Sequence, residues 1–219
     1  MPSGCSPTWR KGTTEALPGP ESPDGPRLEA KVVAALERIG RALRVQLWNA
    51  VKRRGLSPVQ AQILLHLRAH DETLGRVGSI AREFGLTPPT VSDSVSALEA
   101  KGLVERSASA ADGRAAVLTL TPAGHAAARE LQSWAAGLEE AIAAMPPADQ
   151  EAALQFLLRL IEQLQRRGSI TVARVCFTCR FFRPAAEQTA GEPYCALLEK
   201  PLPPAALRVD CPEHEPASA

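Results

Sequence analysis

The stretch that decides the fold is Ser79–Gly102, which reads SIAREFGLTPPTVSDSVSALEAKG. It predicts a short helix, Ile80–Phe84, that is capped by the preceding serine and ends at Gly85. Thr87 can cap a second helix, with Pro88 at the first helical position, where proline costs no hydrogen bond. Two helices joined by a tight glycine turn are typical of a helix–turn–helix.

The two helices also carry complementary faces. Their apolar residues recur at helical spacing and predict a small shared core, formed by Ile80, Ala81, Phe84, Val91, Val95 and Leu98. The second helix then turns small polar side chains outward, toward the major groove of DNA. The candidate DNA-binding residues on and beside it are Thr87, Pro89, Thr90, Ser92, Asp93, Ser94 and Lys101.

The segment after the second helix predicts a β-hairpin. Leu103–Ser107 and Ala115–Leu120 are short apolar segments, and the turn-prone tip between them holds Asp112-Gly113. A hairpin that follows a helix–turn–helix is the wing of a winged helix. The predicted fold class is therefore mainly α with a small β-wing.

Longer helices flank this unit on both sides. Apolar residues at helical spacing predict them over about 28–54, 58–69, 122–144 and 148–167. Gly55 is a good C-terminal cap for the first helix, and Ser57 opens a capping box for the second. Pro146-Pro147 separates the last two helices.

Residues 28–167 resemble the MarR family of transcriptional regulators, which are homodimeric winged-helix repressors. The resemblance is carried by LSPVQAQILLHL (Leu56–Leu67), IAREFGLTPPTVSDSVSALEAKGLVER (Ile80–Arg106), DGR (Asp112–Arg114) and LTLTPAG (Leu118–Gly124). It implies that Arg114 enters the minor groove of double-stranded DNA and that Asp112 orients it. It also implies a DNA-binding lobe over about 56–121 and a homodimer interface built from helices 28–54 and 122–167.

Charge sets limits on how DNA is bound. The 219 residues carry 25 basic and 24 acidic side chains, a net charge of +1, so any basic surface must be local. Ser79–Gly124 holds four basic against five acidic residues, which is unfavourable for non-specific binding. Asp93, in the predicted recognition helix, suits a cytosine amino group.

Other function classes are excluded or disfavoured by the sequence. Residues 1–26 are rich in Pro, Gly and Ser and predict a disordered tail without a signal-peptide core. No apolar run is long enough to span a membrane, so we expect a cytoplasmic protein with no membrane partner. We expect no enzyme, because no Ser/His/Asp arrangement, phosphate loop or HExxH helix is present.

The last fifth of the chain concentrates the cysteines. Cys176, Cys179, Cys195 and Cys211 form the pattern C-x2-C-x15-C-x15-C, and residues 6–175 contain no cysteine. In a reducing compartment such a cluster indicates a metal site more than disulfides. We therefore predict that the four thiols share one site in a small C-terminal Cys-rich metal-binding module over 169–219.

Two kinds of metal group fit four thiolates. Structural zinc usually takes two tight C-x2-C pairs, and this tail has one. An iron–sulfur cluster is wider, can take one pair and two single cysteines, and benefits from an apolar shell. The predicted shell residues are Phe177, Phe181, Phe182, Tyr194, Leu197 and Leu198, with Arg180, Arg183 and Arg208 to offset charge. His214 is a further candidate ligand.

The tail also resembles high-potential iron–sulfur proteins, which are small 4Fe–4S electron carriers. CFTCRFF, YCALLEKPLP and the final Cys211 carry this resemblance. It favours a 4Fe–4S cluster, with zinc or 2Fe–2S as alternatives.

The combined prediction is a dimeric DNA-binding transcriptional regulator, a repressor of a pseudo-palindromic operator, whose binding is tuned by a C-terminal iron–sulfur cluster. A change at the cluster is expected to alter the packing of the tail against the dimerisation helices, with Asp210 and Glu213 as coupling points. One alternative is a zinc-stapled regulator that responds to a small aromatic effector. Another is a redox or electron-transfer partner protein with a winged-helix docking module.

Overall fold

The computed structural model describes residues 27–108, 116–188 and 191–217. The predicted tail 1–26 and the tip of the wing lie outside these ranges. The chain divides into two compact units, residues 1–42 and residues 43–219. The described part of the first unit is the N-terminal portion of helix α1, in which Leu28, Val33 and Ile39 are exposed.

The elements follow the predicted order of a winged helix and then a small strand-containing module. The helices are α1 Leu28–Lys52, α2 Pro58–Ala69, α3 Val77–Phe84, α4 Pro88–Ala100, α5 Pro122–Leu131, α6 Ala136–Ala143 and α7 Pro147–Arg166. The strands are β1 Val104–Ala108, β2 Ala116–Leu120, β3 Phe182–Arg183, β4 Tyr194–Cys195 and β5 Lys200–Pro201. No helix in the described ranges is long and apolar enough to cross a bilayer.

The starts of α2 and α4 and the end of α3 confirm the predicted capping chemistry, whereas Ser79 lies inside α3 and does not cap it. Ser57 and Gln60 exchange the two side-chain-to-backbone bonds of a capping box at the start of α2. Thr87 accepts from the Thr90 N–H at the start of α4. Gly85 ends α3 with φ of +61°, a conformation that glycine adopts without steric cost.

Two element boundaries differ from the prediction. Helix α3 begins at Val77 rather than Ile80, with Arg76 as a cap residue that makes no side-chain capping bond. The helix predicted over 122–144 is interrupted, because a 3-10 turn, Gln132–Ala135, separates α5 from α6. Arg76 makes no side-chain capping bond, and Gln132–Ala135 contains no Gly or Pro, so neither boundary has a clear local signal in the sequence.

The core of the winged helix includes the predicted contact between α3 and α4. Ile80, Ala81, Val91, Val95 and Leu98 are buried, and Phe84 packs against them while partly exposed. Strands β1 and β2 pair antiparallel, with Val104 opposite Leu120. The Leu118 N–H at the inner part of β2 donates to the Gly75 carbonyl over 2.7 Å, which attaches the wing to the segment before α3.

The C-terminal module has its own core, built on one face of α7. Leu158 of α7 is fully buried with Ala173, Val175, Cys176, Leu202 and Leu207. Strands β3, β4 and β5 form a short antiparallel sheet in which Phe182 lies opposite Cys195. The tail therefore packs on α7, one of the helices predicted to form the dimer interface.

Candidate DNA-binding surface and cysteine site

The N-terminal turn of α4 presents small hydroxyl groups to solvent. Thr87 and Thr90 are exposed, and their hydroxyl oxygens lie 2.8 Å apart. Pro88 and Pro89 carry no N–H, and the Thr90 N–H is already bonded to Thr87. This helix start therefore presents side-chain groups to solvent rather than the free backbone N–H groups that usually bind phosphate at a helix N-terminus.

The other predicted recognition residues fall into two groups. Pro89 and Asp93 are exposed on α4, whereas Ser92 and Ser94 are half-buried. The Ser94 hydroxyl donates to the Thr90 carbonyl over 2.9 Å, so it is partly engaged within the helix. Pro89 and Asp93 therefore lie on the outer face of α4, opposite the buried Val91 and Val95 that fix the helix to α3.

Two basic groups near α4 are bound within the protein. Lys101, predicted to contact DNA, donates from its ammonium to the Gly55 carbonyl at the end of α1. Arg106 on β1 pairs with Glu99 over 3.0 Å. The predicted wing residues Asp112 and Arg114 lie outside the described residues.

All four cysteines of the tail line one small cavity. The other lining residues are Phe182, Leu198, Leu202 and Arg208, so the wall is apolar except for one guanidinium. Cys176 and Cys179 come from a 3-10 turn and its end, Cys195 comes from β4, and Cys211 follows the last 3-10 turn. The four thiols, separated by up to 35 positions, are therefore brought together by the fold.

The free space in the cavity is small. Its volume of about 20 Å³ is enough for about one water molecule. The described residues contain no group of three or more His, Cys, Asp or Glu side chains placed to hold a metal ion. The four thiols therefore line one cavity without being arranged as a preformed site for a single ion.

Hydrogen bonds and burial set the state of the thiols. The Arg208 backbone N–H donates to Sγ of Cys176 over 3.2 Å, and the Arg208 guanidinium donates to Sγ of Cys211 over 3.4 Å. Burial raises the pKa of Cys176 and of Cys211 above the ordinary thiol value. Free thiols at these positions stay protonated at neutral pH, so a metal must displace their protons when it binds.

The apolar shell differs in part from the prediction. Phe182 and Leu198 line the cavity, and Phe177 packs edge-on against Phe182 with ring centroids 5.1 Å apart. Phe181 instead lies under the Arg180 guanidinium, and Leu197 is 44% exposed. Leu202, which the sequence did not single out, lines the cavity.

Of the charged residues and the histidine that were predicted to lie near the cysteines, only one lines the cavity. Arg208 lies at the cavity, whereas Arg180 pairs with Glu215 and Arg183 donates to backbone carbonyls. His214, a candidate ligand, does not line the cavity, because its Nε2 lies 2.9 Å from the Thr178 hydroxyl. Its structural role in the described chain is to tie the C-terminal segment to the first cysteine turn.

Sequence reasoning missed a polar cluster between the module and the winged helix. His66 and His70 lie with ring centroids 4.4 Å apart. His70 also pairs with Asp210 over 3.0 Å, and Arg174 pairs with both Asp210 and Glu83. These residues are far apart in the chain and belong to no local motif, so no sequence signal connects them.

Comparisons with known proteins agree with this architecture. The MarR family model matches residues 54–115. The crystal structure of transcriptional regulator PA3341 is 29% identical and covers 62% of this chain and 98% of that chain, with a TM-score of 0.55. A MarR family transcriptional regulator from Silicibacter pomeroyi is 26% identical and covers 64% and 92% of the two chains, with a TM-score of 0.53.

A structure bound to DNA shares the fold. The S. aureus MepR–DNA complex is 22% identical and covers 60% of this chain and 97% of that chain, with a TM-score of 0.53. No curated protein matches the chain. The family match and the two structures above support a winged-helix transcriptional regulator of the MarR type.

Proposed function

We propose that this protein is a dimeric transcriptional repressor that reads a pseudo-palindromic DNA operator, and that an iron–sulfur cluster held by Cys176, Cys179, Cys195 and Cys211 tunes its DNA affinity. The observation that carries the DNA-binding part is the exposed face of α4, fixed to α3 by a buried apolar contact. The MepR–DNA complex shows that a protein of this fold binds DNA.

The recognition chemistry is polar rather than strongly cationic. Thr90 and Asp93 are exposed on α4 and can meet base edges, with Asp93 suited to the amino group of cytosine. Backbone N–H donors are scarce at the start of α4 because Pro88 and Pro89 lack them. Phosphate attraction therefore depends on Arg114 of the wing and on the exposed Arg82. We expect weak non-specific binding and a specificity that relies on base contacts.

Dimerisation is supported by apolar side chains that the single chain leaves exposed. Within residues 43–167 these are Val45 and Trp48 on α1, Ile142 on α6, Met145, and Phe156 and Leu157 on α7. They lie in the segments that the family resemblance assigns to the dimer interface, where a contiguous apolar patch marks an interaction surface. A two-fold dimer presents two α4 helices to successive major grooves, so half-sites about one helical turn apart are expected.

The cluster assignment is supported by the donor set and by the apolar lining of the cavity. Soft thiolates select zinc or iron–sulfur groups among biological metals. One C-x2-C pair and two single cysteines, lining a cavity with Phe182, Leu198 and Leu202, suit an iron–sulfur cluster. When bound, the cluster supplies a centre that can be lost or change its charge, and the chain supplies its apolar wall and the two Arg208 donors.

One experiment tests the DNA-binding proposal directly. The full chain is used to select its operator from a random-sequence DNA pool, and affinities are then measured by gel shift at fixed, moderate salt. Replacing Arg114 by Ala should weaken binding by about tenfold or more, since a groove contact contributes about 1–3 kcal/mol. Arg183→Ala, in the cysteine module, is the matched control. Equal binding by wild type and Arg114→Ala contradicts the assigned role of the wing.

A second candidate has a specific observation in its favour. A cavity of about 600 Å³ lies between α7 and the cysteine module, lined among others by Arg159, Phe177, Phe182 and Leu207. This size and mixed lining are typical of sites for small organic molecules. A zinc-stapled regulator with an aromatic effector bound there is the alternative, and a colourless protein whose DNA affinity responds to small aromatic acids favours it.

A further inference from the structure

The cysteine module contacts the helix–turn–helix through Arg174. This residue lies between α7 and the first cysteine turn, and its side chain is 12% exposed. Its Nη1 donates to the Glu83 carboxylate over 2.8 Å. Glu83 stands near the end of α3, one residue from the partly buried Phe84 and two from the turn glycine that leads into α4. The contact therefore reaches the element that positions the recognition helix.

The same arginine is bonded to the cysteine loops. Its Nε donates to the Asp210 carboxylate over 2.6 Å, and its backbone carbonyl accepts from the Cys211 N–H over 2.9 Å. Arg174 also precedes Cys176 by two residues. Both the position and the side-chain orientation of Arg174 thus depend on the two chain segments that carry these cysteines.

Asp210 extends the link to a second helix of the DNA-binding lobe. Its other carboxylate oxygen lies 3.0 Å from Nε2 of His70, the residue that ends α2. A continuous series of ion pairs therefore joins Glu83, Arg174, Asp210 and His70. Breaking a partly buried ion pair is costly, because the remaining partner is left without its bond.

The cysteine module, which carries Arg174 and Asp210, has little regular secondary structure. In the described part of residues 169–217, the strands are two residues long and the 3-10 turns are three residues long. Its core is a few apolar side chains of the module packed around Leu158 on α7. A module of this size depends on ligation for its order, since a bound metal group contributes much of the folding free energy of small metal domains.

We infer that Arg174 couples occupancy of the four-cysteine site to the position of α3 and, through the buried α3–α4 contact, to the recognition helix. This inference rests on the proposed function and names its regulatory link. When the cysteines are ligated, Asp210 and the Cys211 N–H hold Arg174 against Glu83, and α3 is fixed. When the ligand is lost, the cysteine loops loosen, Arg174 releases Glu83, and α3 and α4 move more freely. The ligated protein therefore binds its operator more tightly.

The test uses the full chain, reconstituted anaerobically with ferrous iron and sulfide, or depleted with a chelator. Operator affinity is measured for both forms of the wild type, Arg174→Gln, Glu83→Gln and the control Arg180→Gln, which breaks an exposed ion pair inside the module. The expected ratio of affinities, loaded over depleted, is about fivefold or more for wild type and control. It falls to about one in Arg174→Gln and Glu83→Gln, with unchanged iron content. Glu83→Gln keeps the test valid if Arg174→Gln folds poorly.

A second readout is independent of DNA. Amide hydrogen exchange in Val77–Phe84 should be slower in the loaded wild type than in the depleted form. This difference should vanish in Arg174→Gln and in Glu83→Gln. A wild-type affinity ratio of one contradicts the proposed cluster tuning, and the exchange difference alone then decides on Arg174. The inference is overturned if Arg174→Gln and Glu83→Gln keep the wild-type affinity ratio and the wild-type exchange difference. That result leaves the proposed function standing.

Discussion

The guanidinium of Arg208 donates a hydrogen bond to Sγ of Cys211 over 3.4 Å. The backbone N–H of the same residue donates to Sγ of Cys176 over 3.2 Å, so one residue bonds to two of the four cysteines. A third bond, from the guanidinium to Glu213 over 2.7 Å, fixes the side chain at the rim of the cavity. Hydrogen bonds and positive charge at ligand sulfurs stabilise the more negative state of an iron–sulfur cluster.

Replacing Arg208 by Met should therefore lower the midpoint potential of the reconstituted cluster. The expected shift is about 60 mV, which corresponds to a tenfold change in a one-electron equilibrium. A potentiometric titration of the full chain, followed by visible absorption, measures it. Arg183→Met is the control, because Arg183 donates to backbone carbonyls and not to a cysteine. A shift as large in the control as in Arg208→Met contradicts a specific role of Arg208.

The ligand set is tested by replacing one cysteine with its closest isostere. Cys195 on β4 lines the cavity with the other three cysteines, and within residues 27–108, 116–188 and 191–217 no other thiol lines it. Cys195→Ser should abolish the visible chromophore after reconstitution, while the far-ultraviolet circular dichroism of the helices is retained. Cys5→Ser, in the N-terminal tail, should keep full colour. Retained colour in Cys195→Ser means that the ligands are assigned wrongly.

Gly124 is required by a close contact at the start of α5. A Cβ at this position stands 1.9 Å from the Leu103 carbonyl oxygen, which is a backbone atom that cannot swing away. Gly124→Ala should therefore destabilise the winged helix by about 3 kcal/mol, at the upper end of the range for overpacking. Denaturant unfolding measures the loss.

Gly78 provides the matched control for this glycine. It lies inside α3, and a Cβ there meets nothing within 4 Å. Gly78→Ala should be neutral or stabilise the protein by up to about 1 kcal/mol, because alanine favours the helix. If both variants lose the same free energy of unfolding, the contact with Leu103 is not the cause.

His66 should make stability depend on pH. Its side chain is 7% exposed, and its Nε2 lies 3.2 Å from the Leu74 carbonyl oxygen. Burial is the main cause that lowers the pKa of His66 below its ordinary value, and the neighbouring charges of His70, Glu83 and Arg174 modify it. The folded state therefore holds fewer protons on this group than the unfolded state as pH falls below about 6.5.

The sign follows from this difference in bound protons. The stabilisation is fully present above about pH 6.5 and decreases as pH falls toward the lowered pKa, by up to about 1.4 kcal/mol per pH unit. His66→Gln, which does not titrate, should show a flatter dependence of the free energy of unfolding between pH 7.5 and 5.5. His125→Gln, on the exposed side of α5, should behave as wild type. An equal slope for wild type and His66→Gln contradicts the prediction.

The parts of the fold with local chemical signals could be predicted from the sequence. Ser57, Thr87 and Thr121 each cap a helix through a side-chain bond to a nearby N–H, and each is recognisable from the residues beside it. The contact between α3 and α4 follows from apolar spacing alone. The start of α3 was missed because Arg76 caps without a side-chain bond, and the break after Leu131 was missed because Gln132–Ala135 contains no Gly or Pro.

The candidate site also has a part that the sequence predicts and a part that it does not. The four cysteines are recognisable from the sequence because residues 6–175 contain no cysteine, and the fold brings them to one cavity. The link from Glu83 through Arg174 to Asp210 could not be predicted, because its members are separated by up to 127 positions and are ordinary surface residue types. The same holds for Leu202, whose place at the cavity depends on how the last turns pack on α7. Long-range packing, and not local pattern, decides such contacts.

Anaerobic purification of the full chain, followed by visible absorption and analysis of iron, sulfide and zinc, tests the central claim most directly. We predict a coloured protein with about four iron and four sulfide per chain, as a 4Fe–4S cluster on four thiolates requires. A colourless protein with one zinc per chain and no sulfide contradicts it.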